Sequence, residues 1–263
     1  MSLFSLDKSL CKRDGHCVQA CPAGLLTTDE DHYPIPTPEA DARCFDCGHC
    51  VAACPTLALS HQHLPNESFL PAQAPMAGPD EVDALIRNRR SIRHYKPKAL
   101  ANDVLEGLME TVRYAPTAIN TRHVRWSVVK SPETTRTLAG LVAEWTTKVG
   151  YFPQALKIWQ DGGDFALRGA PHVAFCTAPV DYNWAWTDCA IAVTTLDLAA
   201  NARGLGTCWA GLFTFAAQQH APLREALKLA EGVNVFGALM LGEPAEQYLR
   251  VPPRLGEIVS WID

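Results

Sequence analysis

The run Cys44-Phe-Asp-Cys47-Gly-His-Cys50-Val-Ala-Ala-Cys54-Pro55 has the spacing C-x2-C-x2-C-x3-C-P. Three thiolates this close together grip three irons of a cubane iron–sulfur cluster, while the fourth faces elsewhere. Gly48 lets the backbone turn tightly around such a cluster, and Pro55 ends the turn. Zinc knuckles pair C-x2-C units from separate turns, so the complete run argues for iron and sulfide. An altered copy precedes it: Cys11-Lys-Arg-Asp14-Gly-His-Cys17-Val-Gln-Ala-Cys21-Pro22, with Asp14 where the second cysteine would stand.

Together the two copies resemble a two-cluster bacterial ferredoxin over residues 1 to about 60. In that family the last cysteine of each run serves the other cluster. The resemblance implies one [4Fe–4S] site held by Cys44, Cys47, Cys50 and Cys21. It implies a second site held by Cys11, Cys17 and Cys54, with Asp14 facing the fourth iron. A carboxylate is a harder and weaker ligand for that iron than a thiolate. An Asp-ligated [4Fe–4S] cluster, a [3Fe–4S] cluster and exchange between them are all open, as is a loop aspartate beside an empty site. His16 and His49, which precede the third cysteine of each run, carry no assigned role.

The rest of the composition frames these motifs. The chain has 263 residues, 48% hydrophobic and 19% charged, with a net charge of −5. That excludes a disordered chain and a protein that coats nucleic acid. No apolar run reaches membrane-span length, and the start lacks the pattern of a signal peptide, so the chain reads as cytoplasmic and membrane-free. Ten cysteines are unusual there, because the cytosol disfavours disulfides. Seven lie between Cys11 and Cys54 as candidate ligands; Cys176, Cys189 and Cys208 sit in apolar contexts and read as plain buried thiols.

Three zones follow. Residues 1–62 form the ferredoxin-like iron–sulfur domain, with four basic against eight acidic residues. Residues 63–80 hold four prolines and read as an extended, semi-rigid linker. Residues 81–263 read as a mixed domain. Asp80 is expected to cap a helix carrying Val82, Leu85 and Ile86. Leu105, Leu108, Met109 and Val112 mark a second helix, and Pro132 opens a third through Leu138, Leu141, Val142, Trp145 and Val149. Strands are expected at 126–129, 172–176 and 234–241. Residues 188–203 are apolar nearly all round, which predicts a helix in a core or an interface. The order lacks strict β-α-β alternation, so the fold class is α+β.

The second domain opens with Arg87-Asn-Arg89-Arg90-Ser91-Ile-Arg93-His-Tyr95. Guanidinium forks beside a hydroxyl suit capture of one small-molecule phosphate. Nucleic acid is the poorer reading, since no second basic tract exists. From here the chain resembles the FMN-dependent nitroreductase superfamily across nearly all of residues 81–263. Four further segments carry the likeness: Ala115-Pro116-Thr117-Ala118-Ile-Asn120, Gly169-Ala-Pro171-His172-Val, Gly204-Leu-Gly206-Thr-Cys208-Trp209-Ala210-Gly211, and Tyr248-Leu-Arg250-Val-Pro-Pro-Arg254. The resemblance implies a mixed sheet flanked by helices and a bound FMN. Its phosphate and ribityl chain would be held by Arg89, Ser91 and Arg93, with Arg90 turned either way and Arg250 or Arg254 helping. Ala210 and Gly211 would offer backbone donors at flavin N5 and O4. Pro116, Thr117, Ala118 and Asn120 would come from the partner of a homodimer. Where the family's loop continues N-x-Q-P this chain has Asn120-Thr-Arg122-His123, which makes Arg122 either a flavin-edge cation or a surface ion-pair residue. Trp184, Trp186 and Trp209 read as core or interface packing rather than a stacking site for substrate.

The expected activity is an iron–sulfur flavoprotein oxidoreductase. Electrons from a low-potential donor, reduced ferredoxin or NAD(P)H, would pass through the clusters to FMN and then to a small conjugated acceptor such as a nitroaromatic, quinone or enone. A dehydrogenase or reductive dehalogenase on the same fold, and a non-catalytic redox relay or sensor, are the alternatives. Donor, substrate and direction of electron flow are not written in the sequence.

Overall fold

The computed structural model describes residues 2–72 and 76–262. The middle of the expected linker (73–75) and the terminal residues Met1 and Asp263 lie outside the described residues. The chain divides into two compact units, the first being residues 1–76 with 119–121 and the second residues 77–118 with 122–263.

The first unit is built twice from the same parts. Strands β1 (Phe4–Leu6) and β4 (Leu59–His61) pair antiparallel, as do β2 (Leu26–Thr28) and β3 (Pro34–Pro36). The short helices α1 (His16–Gln19) and α3 (His49–Ala52) follow the two glycines of the cysteine runs, with α2 (Ala40–Arg43) between them. Gly15 and Gly48 both take left-handed backbone, φ 72° and 73°, a conformation glycine adopts without a Cβ penalty. Leu3, Phe4, Leu25, Leu26, Val51 and Leu59 form the core together with Cys17 and Cys50. Part of the expected linker is folded rather than extended: Asn66–Ser68 form a 3-10 turn, and Phe69 packs against this core.

In the second unit β5 (Arg125–Val129), β6 (His172–Pro179), β8 (Val233–Gly242) and β7 (Gly206–Trp209) make one sheet in the order β5-β6-β8-β7, every pair antiparallel. Its parallel component is a bridge between Ser91 and Thr207 at the β7 edge. Successive strand residues point to opposite faces. Val173 and Phe175 of β6 therefore pack with α6 (Pro132–Lys148) and α9 (Gly211–Gln219), while Ala174, Cys176 and Ala178 pack with α5 (Asn102–Val112) and α8 (Ala185–Asn201). The register between β6 and β8 jumps from Cys176–Gly237 to Thr177–Val235, leaving Phe236 as an extra residue. That bulge puts Phe236 and Gly237 on the same face. A side chain at 237 would meet Val193 Cγ2 at 2.9 Å, so the close approach of α8 requires glycine. The first helix, α4 (Pro79–Asn88), is capped at Gly78 rather than Asp80; Glu81 reaches back to the Gly78 N–H at 3.0 Å. The small helices α7 (Ala155–Gln160) and α10 (Ala221–Ala226) complete the layer on the α6 side.

His172 ties this unit together from inside. Its ring is fully buried, Nδ1 donates to the Val129 carbonyl at 3.1 Å, and Nε2 accepts the Leu100 N–H at 2.8 Å. The bond accepted at Nε2 demands the neutral ring, and burial, outweighing the bond donated to Val129, holds its pKa below the ordinary 6.5. In the window just below 6.5 the unfolded chain binds a proton that the native chain refuses, so stability falls as pH drops through it. Guanidinium unfolding above and below that value is expected to show this loss, and H172Q is expected to flatten the pH dependence while lowering stability throughout.

Candidate functional site

The cysteine runs converge as two groups. Cys21, Cys44, Cys47 and Cys50 line one cavity, closed by Phe4, Leu25 and the ring of His61. Cys17 lies within electrostatic reach of Cys54 and Cys11. Cys21, the last cysteine of its run, thus sits with the three inner cysteines of the other, and Cys54 with the two inner cysteines of the first. Burial pushes the Cys50 thiol up to about 11, with Cys47, Cys21 and Cys44 adding to the rise. Burial likewise raises Cys17 and Cys44. At Cys54 burial also raises the pKa, but N–H groups of Leu59, Thr56 and Ala58 and the Thr56 hydroxyl outweigh it, leaving the thiol below its usual value. The Leu25 N–H points at Cys21 Sγ from 3.2 Å, and the Ala58 N–H at Cys54 Sγ from 3.3 Å.

Four soft donors around an apolar hollow, with peptide N–H groups aimed at sulfur, fit an iron–sulfur cluster. Thiols held this far up ionise when a cation displaces their protons. Asp14 accepts the His16 N–H at 3.1 Å and so shapes the turn into α1. Three residues were not singled out from the sequence: His61 at 3.5 Å from Cys44 Sγ, Asp46, inside the second run and 3.3 Å from His61, and His63 at 3.1 Å from Asp46.

In the second unit the arginine-rich segment runs beside β7. The Ile92 N–H donates to the Thr207 carbonyl at 2.7 Å, and the buried Tyr95 hydroxyl to the Ile92 carbonyl at 2.7 Å. Arg89 pairs with Asp197 at 3.3 Å, and Asp197 also accepts the Thr207 hydroxyl. Burial raises the Cys208 thiol, while Arg93, the Ser91 hydroxyl and Arg168 pull it back. Ser91, Arg93 and Arg168 therefore all lie within reach of Cys208, with the Asp197 carboxylate opposing them. Arg168 escaped the sequence reading although it directly precedes the quoted Gly169-Ala-Pro171 turn. Arg90 lines a hollow with Asn88, Asn201 and Gly204, whereas Arg93 lines another with His94, Glu246 and Tyr248. Arg250 and Arg254 stand on an exposed tail, two and six residues beyond Tyr248, which lines both hollows.

The start of α9 adjusts the expected backbone donors. Ala210 gives its N–H to the Ala238 carbonyl at 2.8 Å. Gly211, the first residue of α9, has no carbonyl four residues back within the helix to take its N–H, which leaves it as the donor there. The loop at 116–123 is strained, with φ of 42°, 55° and 51° at Ile119, Asn120 and Arg122. Asp188, buried on α8, pins it: its carboxylate accepts the Ala118 N–H at 3.2 Å and the Tyr182 hydroxyl at 2.6 Å. The Arg122 N–H donates to Thr117 Oγ1 at 3.1 Å. Asn120, in the first unit, donates to the Phe45 and Asp46 carbonyls at 2.8 and 3.1 Å. Trp184, Trp186 and Trp209 are 43–55% exposed and do not pack in the core. Cys176, Cys189 and Cys208 are buried as expected.

Residues 86–243 match the model of the nitroreductase family. The chain belongs to that family. Nitroreductases are oxidoreductases, and the second unit is this chain's nitroreductase domain. Residues 9–59 match the 4Fe-4S dicluster domain. A protein of Archaeoglobus fulgidus provisionally named NADH dehydrogenase/NAD(P)H nitroreductase is 26% identical over 64% of this chain and 88% of its own. FMN reductase [NAD(P)H] of Bacillus subtilis is 26% identical over 69% of this chain and 73% of its own. Among solved structures, a nitroreductase with bound FMN from Bacteroides fragilis aligns with TM-score 0.62 at 22% identity, over 70% of this chain and 99% of that one. No helix among the described residues is long and apolar enough to cross a membrane.

Removing the Asp188 carboxylate orphans two donors at once. D188A is expected to lower stability by about 2 kcal/mol, the usual cost of stranding buried polar groups. Limited proteolysis of the variant should cut within residues 115–123, where the native chain resists.

Proposed function

We propose that this nitroreductase-family chain is an iron–sulfur flavoprotein oxidoreductase, taking electrons at its N-terminal unit and delivering them to a small conjugated acceptor at its nitroreductase domain. The observation that carries the reading is the cavity lined by Cys21, Cys44, Cys47 and Cys50, on a chain whose larger part belongs to an oxidoreductase family. When bound, the clusters supply single electrons and FMN exchanges them singly or in pairs.

The chain's own residues divide the remaining work. Ser91, Arg93 and Arg168 offer a phosphate two guanidinium groups and a hydroxyl. Arg89 exchanges Asp197 for the same anion, and Gly211 offers its N–H where charge develops on a bound ring. The FMN named in the titles of structural neighbours supports that ligand. The names of both sequence relatives favour NAD(P)H as the donor to the nitroreductase domain, and the cysteine runs favour a reduced ferredoxin for the other unit. At the altered run Cys11, Cys17 and Cys54 would hold a cluster with the Asp14 carboxylate as its fourth ligand, and so weak a ligand would leave one iron labile. A homodimer is supported by exposed apolar side chains: Trp184 and Trp186 at the start of α8, and Leu249, Leu255, Ile258 and Trp261 on the tail.

Protein purified anaerobically with iron and FMN, then reduced by NADH or by reduced ferredoxin, is expected to reoxidise on addition of a nitroaromatic, a quinone or an enone. A reduced flavin that survives all three acceptors sinks the reductase reading. D14C is expected to add an iron per chain and to replace any three-iron electron paramagnetic resonance signal by that of a second stable four-iron cluster. Unchanged iron content and spectrum in D14C would remove Asp14 from the site. Sedimentation of the flavin-loaded protein should return a dimer.

A further inference from the structure

His61 lies at the end of β4, opposite Phe4 of β1, with its side chain 1% exposed and the Phe4 ring meeting it edge-on at 5.1 Å. Its orientation is fixed by a bond two residues along the chain. The His63 backbone N–H points at His61 Nδ1 from 3.1 Å. Only a bare ring nitrogen accepts such a bond, so the proton of the neutral ring sits on Nε2. Nε2 faces Cys44 Sγ at 3.5 Å and Asp46 Oδ1 at 3.3 Å. Asp46 is itself steadied by His63 Nδ1 at 3.1 Å. One N–H is thereby shared between the Asp46 carboxylate and a thiol of the four-cysteine cavity, within a pocket that holds both ring nitrogens in place.

Among the described residues no imidazole addresses a sulfur of the other group, whose side-chain donor is the Thr56 hydroxyl, 3.7 Å from Cys54 Sγ. The peptide donors match, since Leu25 and Ala58 each follow the last cysteine of their run by the same spacing and each addresses its sulfur. Counting on from those cysteines, the counterpart of His61 is Thr28, an exposed residue. The counterpart of Asp46 is Arg13, whose guanidinium turns away to the Tyr33 hydroxyl and ring. The imidazole belongs to one half of the repeated unit and not to the other.

We propose that His61 is a positioning residue for Cys44, and that its Nε2–H raises the reduction potential of the cluster bound by Cys21, Cys44, Cys47 and Cys50 relative to its partner cluster. The proposal rests on the cluster reading given above. A cluster that gains one electron gathers negative charge on its sulfurs, so a donor held against a ligand sulfur stabilises the reduced form more than the oxidised form. No proton moves in the step: the electron comes from the reductant, and the N–H bond stays intact.

The test is an anaerobic potentiometric titration with dithionite, followed by electron paramagnetic resonance, on the full-length iron-loaded protein and two variants. H61F fills the pocket without the donor, and H61Q keeps an N–H at the end of a side chain of similar reach. H61F is expected to weaken reduction of the complete cluster about tenfold, equivalent to about 59 mV for one electron. The other cluster should not move, and H61Q should recover most of the loss. Equal potentials in native protein and H61F at equal iron content overturn the proposal. If H61F fails to take up iron, native protein labelled with 15N-histidine decides. A nitrogen coupling to the reduced cluster that disappears in H61Q supports the bond, and its absence from native protein overturns it. A native chain that takes up no iron overturns the cluster reading itself, a result distinct from any of these.

Discussion

The first unit turns on a conflict between burial and charge at sulfur. Cys50 and Cys17 are core residues, packed with Leu25, Val51 and Leu59, and burial holds both thiols in the neutral form. A core this small cannot add many more apolar side chains, and domains of this size commonly draw their stability from bound metal. The same burial that keeps the thiols protonated also dries the cavity around them. A cation entering it meets donors already gathered and released from competition with water. Folding and ligand capture are therefore two aspects of one arrangement, and peptide N–H groups at Cys21 and Cys54 prepare it in advance.

The second unit depends on its sheet instead. Strands β6 and β8 are buried on both faces, and the bulge at Phe236 lets β8 serve two helical layers out of step with simple alternation. Around that frame the functional residues are held by polar contacts at the edges. Asp188 carries the 118 loop, Asp197 holds Arg89 beside β7, and Ala238 takes the Ala210 N–H. Each is one acidic or carbonyl oxygen fixing a neighbour that has left regular secondary structure.

What could be read in advance follows from how local each signal is. The cysteine spacing, the α5 and α6 periodicities and the apolar runs of β6 and β8 are written within a dozen residues, and they read correctly. Strand β7 is only four residues long and opens on Gly206, too short an alternation to be expected as a strand. Gly78 displaced Asp80 as a cap because Pro79 already opens the helix and Glu81 supplies the returning bond. Arg168 acquires meaning only where it approaches Ser91 and Arg93, far away in sequence. His61 and Asp46 are seventeen residues from their respective partners Cys44 and His63, and they meet because β4 pairs with β1 beside the cavity. Spacing rules carry no information about such encounters.

The exchange of last cysteines has a consequence for how this unit can change over time. Cys21 stands among the cysteines of the later run and Cys54 among those of the earlier one. The halves are linked like two rings of a chain: deleting either one strips a donor from both cavities. A single inner position, by contrast, serves one cavity alone and can drift without disturbing its twin. Asp14 occupies such an inner position, and so the duplicated half-units have been able to specialise without ever becoming separable.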